Sequence, residues 1–199
     1  MIHEFYEEFD GVYRLKVPFE SLYTSVILIR IDDPILLDCA TTAEDVEEWI
    51  VPALEKLGYR LSEIKTLVLT HTHGDHAGGL ARVLELAPEI EVVRDVRRLC
   101  EGISTYPLAG HTKDSIGVLD EVHRTLLSGD GLQGAGVDKY RCSIKFQEDY
   151  LETLHRIQND DRIDRILFSH DYEPWYANRI DGREQVLACL AECPKYLKK

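Results

Sequence analysis

No stretch of the 199 residues approaches the ~20 consecutive apolar residues that a membrane helix needs. A membrane is therefore not an expected partner. The start at Met1 lacks a basic segment leading into an apolar one, so no secretory leader is read there. Positive charge is in short supply: 23 Lys and Arg stand against 36 Asp and Glu, a net charge of -13. That balance disfavours nucleic acid and anionic lipid as partners through bulk charge. Cysteine is sparse and scattered. The five, Cys39, Cys100, Cys142, Cys189 and Cys193, are odd in number and too spread for a disulfide framework. A reducing, cytoplasmic setting is the expectation. Cys189 and Cys193, four apart, read as packing residues on one helix face. No internal repeat, low-complexity segment or linker interrupts the chain, whose length fits a single domain over residues 1–199.

What is present is a soluble pattern, 44% apolar and 30% charged, with strands first and helices interleaved later. Residues 11–17 and 22–31 are β-branched and aromatic runs that read as strands. Asp32-Asp33-Pro34 reads as a turn, and Ile35-Leu36-Leu37 as a third strand ending at Asp38. Thr41-Thr42-Ala43-Glu44 opens a helix with cap chemistry. Val46, Trp49, Ile50, Leu54 and Leu57 repeat at helical spacing. Pro52 falls inside that pattern as a kink, and Gly58 ends it. Leu80, Val83, Leu84 and Leu86 mark a helix entered from Gly78-Gly79. Residues 90–93 read as a short strand and 96–100 as a helical turn. Residues 116–119 and 122–127 read as a hairpin. Residues 146–157 form a helix with Tyr150, Leu151, Leu154 and Ile157 on one face. A buried strand at 163–168 and a final helix at about 182–193 complete the pattern, which suggests mixed sheets covered by helices.

Thr70-His71-Thr72-His73-Gly74-Asp75-His76-Ala77-Gly78-Gly79 stands out. Three histidines and an aspartate fall within six residues, directly after the apolar run Thr66-Leu67-Val68-Leu69. Side chains alternate along a strand, so an i, i+2 pair at its end can turn two imidazoles to one side. Such a density of N and O donors points to a metal. Further donor-type residues recur beyond apolar strands: Asp38 after Ile35-Leu36-Leu37, Asp130 in Leu126-Leu127-Ser128-Gly129-Asp130, and His170 after Ile166-Leu167-Phe168-Ser169. His111 sits in Leu108-Ala109-Gly110-His111-Thr112. Active sites form at such strand ends. His3, His123 and His155 carry no such context, and Ser115 and Ser169 read as structural.

His-x-His-x-Asp-His, then Gly-His-Thr, Ser-Gly-Asp and a lone histidine after a strand, in this order over residues 38–170, resembles the metallo-β-lactamase superfamily. The resemblance implies an α/β, αββα sandwich of two mixed β-sheets packed face to face and flanked by helices. It also implies a pair of divalent metal ions, zinc first, with iron or manganese as alternatives. His71, His73 and His111 would hold one ion, Asp75, His76 and His170 the other, with Asp130 bridging. Seven N and O ligands are too many for one tetrahedral zinc but suit two ions ~3.5–4 Å apart. Asp38 would orient the ligand loop from behind. A water held by two such ions loses a proton near neutral pH, giving a hydroxide nucleophile, with Asp75 as a proton shuttle.

Motif style is closest to the glyoxalase II and lactonase groups. That implies hydrolysis of an ester-type bond, a thioester or lactone, in a small-molecule substrate. In the first of these groups an anion-holding segment follows the bridging aspartate. The counterpart here is Gly134-Ala135-Gly136-Val137-Asp138-Lys139-Tyr140-Arg141, so Lys139, Tyr140 and Arg141, together with Tyr172, are candidate substrate-binding residues. A short segment between His76 and His111 favours an open or dimer-completed site, so a homodimer is a candidate assembly. Two alternatives stand beside hydrolysis. One is a mononuclear-iron persulfide dioxygenase using His71, His111 and Asp130; the other is a non-catalytic metal-binding or regulatory protein.

Overall fold

The structure is a computed structural model that describes residues 3–134, 136–137, 140–172 and 177–197. It divides into two compact units, Met1–Arg94 and Asp95–Lys199.

The first unit is a six-stranded sheet in sequence order: β1 (Tyr6–Phe9), β2 (Val12–Phe19), β3 (Leu22–Ile29), β4 (Ile35–Leu37), β5 (Thr66–Val68) and β6 (Glu91–Val93). The first four strands form an antiparallel meander. Its last three are the expected meander, while β1 lies ahead of it unannounced, because YEEF alternates too little to signal a strand. β4, β5 and β6 then run parallel. A parallel neighbour needs a crossover, and the helical run after Asp38 supplies one. Thr42 caps α1 (Ala43–Asp45): its hydroxyl accepts from the Asp45 N–H, and the Asp45 carboxylate accepts from the Thr42 N–H. The run continues through a π-turn at Val46–Ile50 into α2 (Val51–Lys56). Pro52 lacks an N–H and cannot complete a regular turn, so the expected kink takes the form of this widened one. Val46, Ile50, Ala53 and Leu54 are fully buried against Leu15, Val26, Leu28, Leu36 and Leu67.

The second unit has another mixed six-stranded sheet, ordered β14-β13-β10-β9-β8-β7. Its strands are β7 (Arg98–Cys100), β8 (Ile103–Pro107), β9 (Ile116–Asp120), β10 (Thr125–Leu127), β13 (Arg165–Tyr172) and β14 (Ala177–Asp181). β11 (Gly136–Val137) and β12 (Tyr140–Arg141) form a separate pair. α3 (Gly74–Ala77) and α4 (Leu80–Leu86) connect β5 to β6 in the first unit; in the second, α5 (Gln147–Gln158) precedes β13 and α6 (Arg183–Glu192) follows β14.

Three sequence expectations are corrected here. Residues 98–100 are an edge strand, not a helical turn: Arg98 pairs with Ser104 and Cys100 with Ile103 across a turn where Gly102 takes φ +75°. The second strand of the 116–127 hairpin starts at Thr125, because the turn takes residues through Arg124, at φ +52°. On α5 the inward face is Tyr150, Thr153, Leu154 and Ile157, and Leu151 is 46% exposed. Cys142, Cys189 and Cys193 pack in the second core. Among the described residues no helix is long and apolar enough to cross a membrane.

Candidate metal centre

The first cluster grows from the register of β4 and β5. Leu37 pairs with Val68, so Asp38 and Thr70 leave neighbouring parallel strands together. Asp38 donates its N–H to the Val68 carbonyl (2.9 Å). Its carboxylate accepts from the Thr70 N–H (2.8 Å) and the Thr70 hydroxyl (2.8 Å). It also lies 2.7 Å from His76 Nδ1. A carboxylate can only accept there, so the Nδ1 proton of His76 is fixed and Nε2 faces the Asp75 carboxylate at 3.3 Å. Asp38 is thus bonded to the start of the histidine loop at Thr70 and to its last histidine, His76.

The loop itself is anchored through its backbone. Cys39 N–H donates to the His76 carbonyl (2.8 Å), and Gly78 N–H to the Ala40 carbonyl (3.0 Å). Asp38 and Ala40 both sit in the left-handed region, at φ +60° and +59°. That conformation is costly for a residue with a Cβ, and it wraps the Asp38–Cys39–Ala40 corner under the loop. Burial, with the Asp38 charge beside it, pushes the Cys39 thiol up to about 12, so it remains a neutral packing group.

His71 and His73 follow on alternate positions, and His71 Nε2 comes within 3.0 Å of His73 Nδ1. The His71 and His76 rings stack at a tilt, 4.2 Å between centroids. Thr24 on β3 donates its hydroxyl to Asp75 Oδ2 (3.4 Å). His71 and His76 are buried, whereas Asp75 keeps partial access to solvent.

The second cluster uses the same device. β10 and β13 are parallel, with Leu127 paired to Leu167. Three residues on, Asp130 and His170 come level, and Asp130 Oδ1 lies 3.2 Å from His170 Nε2. The other oxygen, Oδ2, lies 3.7 Å from His111 Nε2. Gly129 turns the chain after β10 with φ +51°. His111 is presented by a tight loop in which Leu108 N–H donates to the Ser115 carbonyl and Gly110 N–H to the Thr112 carbonyl (both 2.9 Å). Gly110 is required, since a Cβ there would lie 2.7 Å from the Tyr150 ring. His111 Nδ1 is surrounded by Gln133 and Ser143.

The donor spacings fit divalent ions. Two ligands on one tetrahedral zinc, each ~2.0–2.1 Å from the metal, stand ~3.4 Å apart. The pairs His71–His73, Asp75–His76 and His170–Asp130 are spaced at 3.0, 3.3 and 3.2 Å. Imidazole and carboxylate donors are also the set that zinc, iron and manganese accept.

Other expected residues fall elsewhere. His123 pairs with Asp120 (2.6 Å). His3 stacks on Trp49 at 3.5 Å between ring centroids, and His155 is exposed on α5. Ser115 braces the 108–115 loop by accepting from the Thr112 N–H. Lys139 lies outside the described residues; for Tyr140, Arg141 and Tyr172 only the backbone, in β12 and β13, is described. Sequence reasoning missed Thr24, Thr70, Gln133 and Ser143. Only Thr70 carried a signal, its place between strand and ligand run.

The sequence model of the metallo-beta-lactamase superfamily matches residues 21–99. The metallo-β-lactamase FIM-1 from Pseudomonas aeruginosa, solved in a mono-zinc form, aligns with TM-score 0.72 over 96% of this chain and 94% of its own, at 17% identity. Residues 21–99 are thus similar to that superfamily's sequence model, and the chain shares the fold of its solved members. Its two mixed sheets with helices are the fold of that superfamily. Among curated relatives, an atrochrysone carboxyl ACP thioesterase from Pseudocercospora fijiensis is 30% identical over 120 residues, 52% of this chain and 35% of the relative. A hydroxyacylglutathione hydrolase from Francisella tularensis subsp. holarctica is 26% identical over 143 residues, 63% of this chain and 56% of the relative. The chain thus spans from about a third to just over half the length of these relatives.

Proposed function

We propose that the chain is a metal-dependent hydrolase that cleaves an ester-type bond, a thioester or lactone, in a small-molecule substrate at a pair of divalent ions, zinc by donor chemistry. One observation carries the reading: the two oxygens of Asp130 face different histidines, Oδ1 towards His170 and Oδ2 towards His111. A carboxylate so placed suits two ions rather than one. In this reading His71, His73 and His111 hold one ion and Asp75, His76 and His170 the other, with Asp130 shared. When bound, such ions supply an ionised water near neutral pH and a Lewis acid for the carbonyl oxygen.

The residues of the chain do the rest. Asp38 holds the Nδ1 proton of His76, so Nε2 is the nitrogen offered for binding. Thr70 ties Asp38 to the start of the ligand run. Asp75 is the carboxylate of the loop with solvent access, and Thr24 orients it. It is the group placed to take a proton and pass it to water. The thioesterase and hydrolase names of the relatives support an acyl-transfer substrate over a phosphodiester.

The test is turnover of a thioester, a lactone and a phosphodiester by zinc-loaded and by chelator-stripped protein. Hydrolysis of the thioester or lactone, lost on stripping and restored by zinc, is the expected result. Oxygen uptake on a persulfide by an iron-loaded chain with no ester turnover would replace hydrolysis with the dioxygenase reading.

A further inference from the structure

Gln133 is buried, at 2% exposure, between His111 and the Ser143 backbone. Its amide orientation is decided by its neighbours. The Ser143 N–H can only donate and points at Oε1 (2.9 Å), so that atom is the oxygen. Nε2 then donates to the Asp130 carbonyl (3.1 Å).

The proton on His111 follows. Nδ1 lies 3.2 Å from the Ser143 carbonyl, which can only accept. It also lies 3.0 Å from Ser143 Oγ. That hydroxyl has an acceptor of its own in Gln133 Oε1, at 3.2 Å. The consistent assignment puts a proton on Nδ1, donated to Ser143, while the serine hydroxyl donates onward to Gln133. One contact opposes it: Gln133 Nε2 is 3.1 Å from Nδ1, donor against donor. Gln133 therefore acts on the ring not through Nε2 but through Oε1, which takes the Ser143 hydroxyl proton and so leaves that oxygen, beside the Ser143 carbonyl, as an acceptor for Nδ1. Below the network, the Tyr150 phenol accepts from the Gln133 N–H (3.2 Å) and donates to its carbonyl (3.3 Å). Tyr150 is fully buried; burial raises its phenol well above the usual range, so it keeps the proton it donates.

The geometry points to Gln133 as a positioning residue that, through Ser143, fixes His111 in its Nδ1–H tautomer and leaves Nε2, the nitrogen facing Asp130, as the one offered to a divalent cation. This rests on the metal-hydrolase reading only in taking His111 for a ligand. Partners of this kind typically tune metal affinity 10–100-fold.

The tautomer is readable without metal. Chelator-stripped full-length chain labelled with ¹⁵N-histidine, at a pH of about 8 where imidazole is neutral, is examined by long-range ¹H–¹⁵N correlation. Wild type is expected to show His111 as Nδ1–H, and Gln133→Leu a mixture of both tautomers. Zinc affinity by chelator competition is expected to fall roughly 10–100-fold in Gln133→Leu. It should fall in Ser143→Ala as well and recover in Ser143→Thr. Should the buried Gln133→Leu variant fail to fold, the Ser143 pair, at an exposed position, carries the test. An Nε2–H tautomer in wild type would overturn the proposal. So would wild-type tautomer and zinc affinity in folded Gln133→Leu, or unchanged affinity in Ser143→Ala. A chain with the expected tautomers that takes up no zinc would uphold the clamp on His111 and sink the hydrolase reading instead.

Discussion

One carboxylate, that of Asp38, serves the Thr70 backbone, the Thr70 hydroxyl and the His76 ring. All three residues are buried, so a lost partner there goes unreplaced by water. Asp38→Asn keeps the size and tolerates the positive φ of that position, but it removes the charge and turns one acceptor into a donor facing other donors. Leaving a buried donor unsatisfied costs about 1–3 kcal/mol. Urea denaturation of metal-free Asp38→Asn should show a loss of about that size; unchanged stability would mean the three contacts contribute nothing. The donor residues were legible because histidine and aspartate after apolar strand ends have few structural uses. Gln133 and Thr24 were not. A single amide in a loop and a single hydroxyl in a strand carry no period, and their roles exist only through partners 22 and 51 positions away.

At the scale of elements, the ligand loop is held by closeness of backbone. A Cβ on Gly78 would stand 1.9 Å from the Thr41 carbonyl oxygen, and one on Gly79 2.2 Å from the Cys39 carbonyl oxygen. Neither obstacle is a flexible side chain, so the α3–α4 segment would have to lift off the Asp38–Thr42 corner. Gly74, by contrast, has nothing within 4 Å of where its Cβ would sit. Gly78→Ala should therefore cost at least the 1–3 kcal/mol typical of overpacking. Gly74→Ala, inside the same ligand run, should stay within about 0.5 kcal/mol of wild type. Thermal melts of the metal-free variants compare them, and equal melting temperatures would contradict this packing account. The amphipathic helix α5 was legible from its period, though it was read with Leu151 inward. The three-residue edge strand β7 was not, because so short a segment shows no period and is defined by its pairing with β8.

At the scale of the molecule, each unit has its own core and its own mixed sheet. Each also repeats one device, a pair of parallel strands in register with polar residues just past the last paired position. The two mixed sheets were legible through the resemblance that the order of the motifs carries, while apolar strand followed by donor residue, a local pattern, pointed to the site. The substrate was not readable, because pocket walls come from loops whose sequence follows no rule of period or cap. The central claim is the proposal that Asp130 is shared by two ions. The most direct measurement is the number of zinc ions retained per chain after equilibrium dialysis, by elemental analysis, for wild type and for Asp130→Ala. Two per chain in wild type, and a reduced count in a still-folded Asp130→Ala, is the predicted result. A single ion in wild type, left in place by Asp130→Ala, would contradict it.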